Sequence, residues 1–151
     1  MRRDESSIGG FTLVELLLAL AIMAVITGFG LFAGMDMYRD SLIHSESDTL
    51  ETALRRARSQ SMSGRGGVAH GVCRDESRRV YELYAGAPDG SYAELPSSAA
   101  VLVSGVPACK DGGIAFSAYA GTSTGARIIV AEEGAERTIT VNHEGWIDTE
   151  D

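Results

Sequence analysis

The sequence predicts an α+β fold in which a long N-terminal helix packs on a C-terminal antiparallel β-sheet. Three observations lead there. No charged residue occurs from Leu16 to Met35, a run of about the length that crosses a bilayer's hydrocarbon core as a helix. Beyond Met35, Tyr38, Leu42, Leu50, Ala53, Leu54 and Ala57 recur at spacings near three and four among polar residues. After Gly64, short apolar runs alternate with glycines, of which the chain has 18 against only 3 prolines.

The helix is expected from about Thr12 to Ser61. Its first half is apolar all round, and its second half carries one apolar stripe to lay on the sheet. Arg55, Arg56 and Arg58 suit the negative end of the helix dipole, and "SGRGG" at 63–67 supplies the stop. Gly28, Gly30 and Gly34 fall within the apolar half. They either loosen it, at about 1 kcal/mol each relative to Ala, or permit close packing against another helix.

Strands follow at Val68 to Cys73 and Arg79 to Ala85, a hairpin across "RDESR". The segment from Ala87 to Cys109 holds Pro88, Pro96 and Pro107 and reads as loop with one short apolar run at 99–103. "GIAFSAYAG", "ARIIVAEEG", "ERTITVNHEG" and the terminal "WI" read as further strands with glycine at the turns. A chain of 151 residues accommodates one membrane segment and one modest domain.

The formal net charge is −8, which opposes non-specific attraction to nucleic acid or anionic lipid. One candidate for phosphate contact exists, Arg55, Arg56 and Arg58 with Arg65. The competing explanation is a solvated helix end, and the acidic terminus "NHEGWIDTED" adds nothing to a DNA-binding surface. His44, His70 and His143 are scattered outside any metal-ligand spacing, and neither a nucleophile elbow nor a P-loop occurs. Cys73 and His70 would point to opposite faces of a strand. Asp148, Glu150 and Asp151 form an acidic tail of the kind that is solvated. The reading is a non-enzyme with no catalytic residue, metal or cofactor. Cys73 and Cys109, 36 residues apart, are either a disulfide or two separate thiols.

Glu15 is the anomaly, a carboxylate at the head of a membrane-spanning run where a charge costs roughly 3 kcal/mol at mid-bilayer. A cleaved secretory signal with "ALA" at 19–21 as its processing site would leave a second apolar stretch at the new terminus. A plain anchor explains the span and leaves both Glu15 and the preceding "GG" unexplained. Arg2 and Arg3, offset in part by Asp4 and Glu5, favour a cytoplasmic N-terminus and an exported C-terminal domain by the positive-inside rule.

The stretch "GGFTLVELLLALAIM", residues 9–23, resembles the class III signal of type IV pilins and type II secretion pseudopilins: a short charged leader ending in Gly, a Phe, and a Glu as fifth residue of the processed chain. The resemblance implies that a prepilin peptidase cuts between Gly10 and Phe11 and N-methylates Phe11, while the helix stays in place. It gives Glu15 a partner, the Phe11 ammonium of a neighbouring subunit, since pairing two charges in apolar surroundings removes much of their cost. The implied domains are a leader at 1–10, a transmembrane and filament-core helix at 11–35, and a periplasmic pilin-like domain at 36–151.

The strand pattern of residues 50–147 is similar, more loosely, to the GspH/FimT-type minor pilins and pseudopilins. It implies a structural subunit that primes or tips assembly of a type II secretion pseudopilus or a type IV pilus. Implied partners are other pilin subunits, the prepilin peptidase and an inner-membrane assembly platform. The location implied is the bacterial inner membrane, single-pass, with a periplasmic C-terminal domain. The alternative is a filament-associated module that binds DNA or a surface through its loops.

Overall fold

The computed structural model describes residues 11–132 and 135–150, with residues 31–36 described as backbone only. The expected leader, Gly10 within it, and Asp151 lie outside the described residues. Two units are distinguished, Met1–Tyr38 and Arg39–Asp151.

Helix α1 runs over Leu13–Met62, within a residue of expectation at each end. Its start is fixed by Thr12, whose hydroxyl accepts the Glu15 N–H at 3.3 Å while its carbonyl accepts the Leu16 N–H. Its end falls at the glycine-rich stop. Gly64 adopts a left-handed φ of 66°, and the Cβ of any other residue there would lie 2.4 Å from the Tyr119 ring.

In the second unit, the helix buries Ile43, Leu50, Ala53, Leu54 and Ala57, with Leu42 packed at the margin. Tyr38, expected in the stripe, is exposed. Three polar residues occupy the stripe instead, Glu46, Ser47 and Ser61. Ser61 ties the helix end to two strands: its hydroxyl donates to the Phe116 carbonyl at 2.9 Å and accepts the His70 N–H at 2.8 Å.

Among the described residues, eight strands form two antiparallel four-stranded sheets where the sequence suggested one. Strands β1 (His70–Asp75), β2 (Val80–Ala85), β3 (Ser91–Pro96) and β5 (Ile114–Phe116) pair in the order β3-β2-β1-β5. Strands β4 (Leu102–Ser104), β6 (Ala126–Glu132), β7 (Ala135–Val141) and β8 (Ile147–Glu150) pair as β4-β6-β7-β8. Apolar periodicity locates strands without naming their partners, and two non-local choices make the difference. β4 pairs with β6 and not with its chain neighbour β3. The tight turn after β5, with Tyr119 at φ 66° and Gly121 at φ 66°, delivers the chain to the second sheet. Val72, Leu83, Ile114 and Phe116 from one sheet and Ile128, Val130, Ile139 and Val141 from the other meet the helix stripe in one core.

β3 replaces part of the expected loop. It is an edge strand whose side chains are exposed or only half-buried, so it carries no apolar alternation to read. Arg78 holds it down, pairing with Glu94 of β3, with Glu82 of β2 at 2.9 Å and with Asp75 of β1 at 3.3 Å. Cys73 in β1 and Cys109 are joined in a disulfide. It closes a loop worth about 4 kcal/mol in the chain-entropy model and fastens the connection between β4 and β5 to the first sheet.

Glu46 is a carboxylate buried in the stripe, and both of its oxygens have partners. The Tyr81 hydroxyl donates to its Oε1 at 2.6 Å and the Ser98 N–H to its Oε2 at 2.8 Å. Burial and the adjacent carboxylate push the Tyr81 phenol well above its ordinary range. Glu46→Ala strands both donors and should cost about 1–3 kcal/mol in denaturant unfolding. In a Tyr81→Phe background the same change should cost measurably less; strictly additive losses would show that the pair is not coupled.

Candidate assembly site

The first unit presents an apolar surface that its own chain leaves uncovered. From Leu13 to Gly30 the mean hydropathy is 2.3 and none of the window is buried, while Phe11 is 84% exposed. The Thr27 hydroxyl returns to the Met23 carbonyl at 2.7 Å, so it adds no unsatisfied donor to this surface. Helix α1 continues unbroken through Gly28 and Gly30, and a Cβ added at either would meet nothing within 4 Å. Both therefore leave room at the surface for another helix.

Glu15 sits at the third helical position, where the dipole favours a carboxylate. With Thr12 it forms the Thr-x-x-Glu pattern of a capping box, with the Thr12 side made. The spacing is a signal the sequence carries alongside the charge that Glu15 brings to the apolar run. Phe11 and Glu15 both stand at the exposed end of an apolar helix, within one turn of each other along the chain. Gly10, the other side of the expected cleavage point, is outside the described residues.

The basic group near the end of α1 does not form one patch. Arg55 pairs with Glu51 at 2.6 Å and reaches toward the Ile147 carbonyl. Arg58 stacks over Trp146, 4.8 Å from the ring centroid, and contacts the Glu144 carbonyl. Burial raises the Tyr92 phenol, and the Arg56 and Arg65 charges oppose that push. The arrangement is that of a helix end anchored to its surroundings.

The histidines also stay apart. His44 lies 3.6 Å from Asp40, His70 is buried in β1, and His143 is exposed. Cys73, Glu82 and Cys109 bring their heteroatoms within 4.8 Å of one another, but both sulfurs are committed to the disulfide.

Residues 6–31 match the family model described as the prokaryotic N-terminal methylation motif. No curated protein matches the sequence. Two solved structures of the minor pseudopilin EpsH from the type II secretion system of Vibrio cholerae are similar in fold. One has a TM-score of 0.51 at 14% identity, covering 68% of this chain and 90% of that one. The other has a TM-score of 0.53 at 13% identity, covering 74% and 94%. The N-terminal segment thus carries the methylation motif, and the chain shares its fold with the EpsH minor pseudopilin.

The pairing that occupies Arg55 also makes the domain acid-sensitive. The Arg55 hydrogen bond, joined by the Thr149 hydroxyl at 2.9 Å, holds the Glu51 carboxyl below its ordinary 4.5 against the opposing effect of burial. A depressed carboxylate contributes stability above its unfolded pKa and loses it as pH falls through the folded value. The unfolding temperature should therefore decline below about pH 4.5, with Asp75, lowered chiefly by the Ser77 hydroxyl, contributing in the same direction. Glu51→Gln should flatten that decline, and an unchanged acid profile would assign it elsewhere.

Proposed function

We propose that this protein, whose motif and fold are those of the pilin and pseudopilin superfamily, is a minor subunit that primes or tips a type II secretion pseudopilus or type IV pilus. The observation that carries the reading is the uncovered apolar helix with Phe11 and Glu15 at its head. A membrane covers such a surface before assembly, and the helices of neighbouring subunits cover it afterwards.

In this reading the leader, residues 1–10, is removed by a prepilin peptidase between Gly10 and Phe11, and Phe11 is N-methylated. Residues 11–35 anchor the chain in the inner membrane and later enter the filament core. Residues 36–151 form the periplasmic domain, including the amphipathic half of α1. The Cys73–Cys109 disulfide supports that placement, because such bonds persist in oxidising compartments. The other partners are fellow pilin subunits and the inner-membrane assembly platform. The role is structural and not catalytic. Recognition of DNA by a basic surface gains no support from Arg55 and Arg58, which are engaged with Glu51 and Trp146, in a chain of net charge −8.

The proposed function of Glu15 is to meet the Phe11 ammonium of the next subunit and so select the stagger between them. Removing one member of a buried ion pair costs about 3–5 kcal/mol, because its partner is left uncompensated. Glu15→Val should leave the membrane level of the protein unchanged and cut its recovery in sheared filaments at least about tenfold. Recovery at the wild-type level would rule the pairing out.

A further inference from the structure

A second site lies in the globular domain, where the end of α1 meets the open end of the first sheet. A cavity of about 270 Å³ is bounded there by Gln60 of the helix, Arg65 and Val68 of the connecting loop, His70 of β1 and Tyr92 of β3. Three features indicate a built pocket and not a chance crevice.

His70 is 2% exposed, and its Nδ1 is buried without a hydrogen-bond partner. A buried polar atom left unpaired costs free energy unless a ligand or ordered water completes it. Tyr92 is the extra residue of a β-bulge: Leu83 pairs with Ala93 and Tyr84 with Ser91, leaving Tyr92 unpaired between them. Bulges re-aim side chains, and this one sets the Tyr92 ring edge-on to His70 with 6.0 Å between centroids. The Tyr92 hydroxyl donates to Gln60 Oε1, which commits that oxygen and leaves the Gln60 amide hydrogens as donors.

The lining also has a distinct chemistry. In a chain of net charge −8, no acidic residue among the described ones borders the cavity, whereas Arg65 does. Arg56 stands near enough to oppose, together with Arg65, the upward push that burial gives the Tyr92 phenol. The walls are otherwise apolar, made by Val68, Ala85 and the two rings. We propose that this pocket binds a small organic carboxylate, its apolar body against Val68 and Tyr92 and its anionic end toward Arg65 and the Gln60 amide. The volume sits just below the usual range for small-molecule sites, which limits the ligand to roughly a single ring or a short branched chain.

The probe is benzoate, with benzamide as its uncharged counterpart, titrated into the full-length protein in detergent micelles. The readout is the His70 imidazole C–H resonances. Benzoate should shift them saturably with a dissociation constant of about 1 mM or tighter, and benzamide should bind at least about tenfold more weakly. Arg65→Gln, a change at an exposed position, should weaken benzoate about tenfold and leave the unfolding temperature in place. Equal binding of benzoate and benzamide, no saturation, or an Arg65→Gln variant with unaltered affinity would each overturn the proposal, leaving an apolar recess filled by water.

Discussion

The fold depends on one helical face that must be both apolar and narrow. Ala53 and Ala57 are fully buried, flanked by Leu50 and Leu54, in the core that the helix shares with residues of both sheets. Interiors are packed to crystal density, so a larger residue at either alanine would push a sheet away and open voids beside it. Each sheet has only four strands and β4 and β5 have three residues each, so neither buries enough apolar surface alone. The helix serves as the second layer for both, and Ser61, Glu46 and the disulfide fix loops and strand ends around it.

The same helix changes character along its length, and function follows from that change. From Ile43 to Ala57 its stripe is buried in the domain core, whereas the apolar residues from Leu13 to Gly30 are exposed among the described residues. Transfer of apolar surface from water is worth about 25 cal/mol per Å², so an uncovered run of leucines, valines and isoleucines commits the chain to a membrane or to other helices. In the filament reading proposed above, Glu15 keeps this from being indiscriminate. A carboxylate within an apolar surface tolerates only arrangements that bring it a cation, which turns general stickiness into a preference for one register.

Much of this was legible from residue spacing. The extent of α1, the burial of Leu50, Ala53, Leu54 and Ala57, and the strands around Val72, Leu83, Ile128 and Ile139 follow from periods of 3.6 and 2. Glu46 and Ser61 were not found, because a polar residue in a stripe reads as a gap until its partners, Tyr81, Phe116 and His70, are brought near by the fold. β3 was missed because an edge strand has little to bury. The division into two sheets was missed because strand pairing is decided by contacts distant in sequence. For the candidate site, the N-terminal motif is legible in the sequence and lies within the stretch that matches the methylation model, while the engagement of Arg55 and Arg58 required the positions of Glu51 and Trp146. The His70 cavity had no linear signature at all, since its walls come from four separate segments.

The central claim is that the apolar helix is retained in the mature protein with Phe11 as its first residue, so that a terminal ammonium exists for Glu15 to meet. Intact-mass and N-terminal analysis of the protein from cells with and without an active prepilin peptidase tests it most directly. The account predicts a chain beginning at N-methylated Phe11 only when the peptidase is active. A chain that still begins at Met1 with the peptidase present, or one cut near Ala21, would contradict it and leave the uncovered helix without a filament to enter.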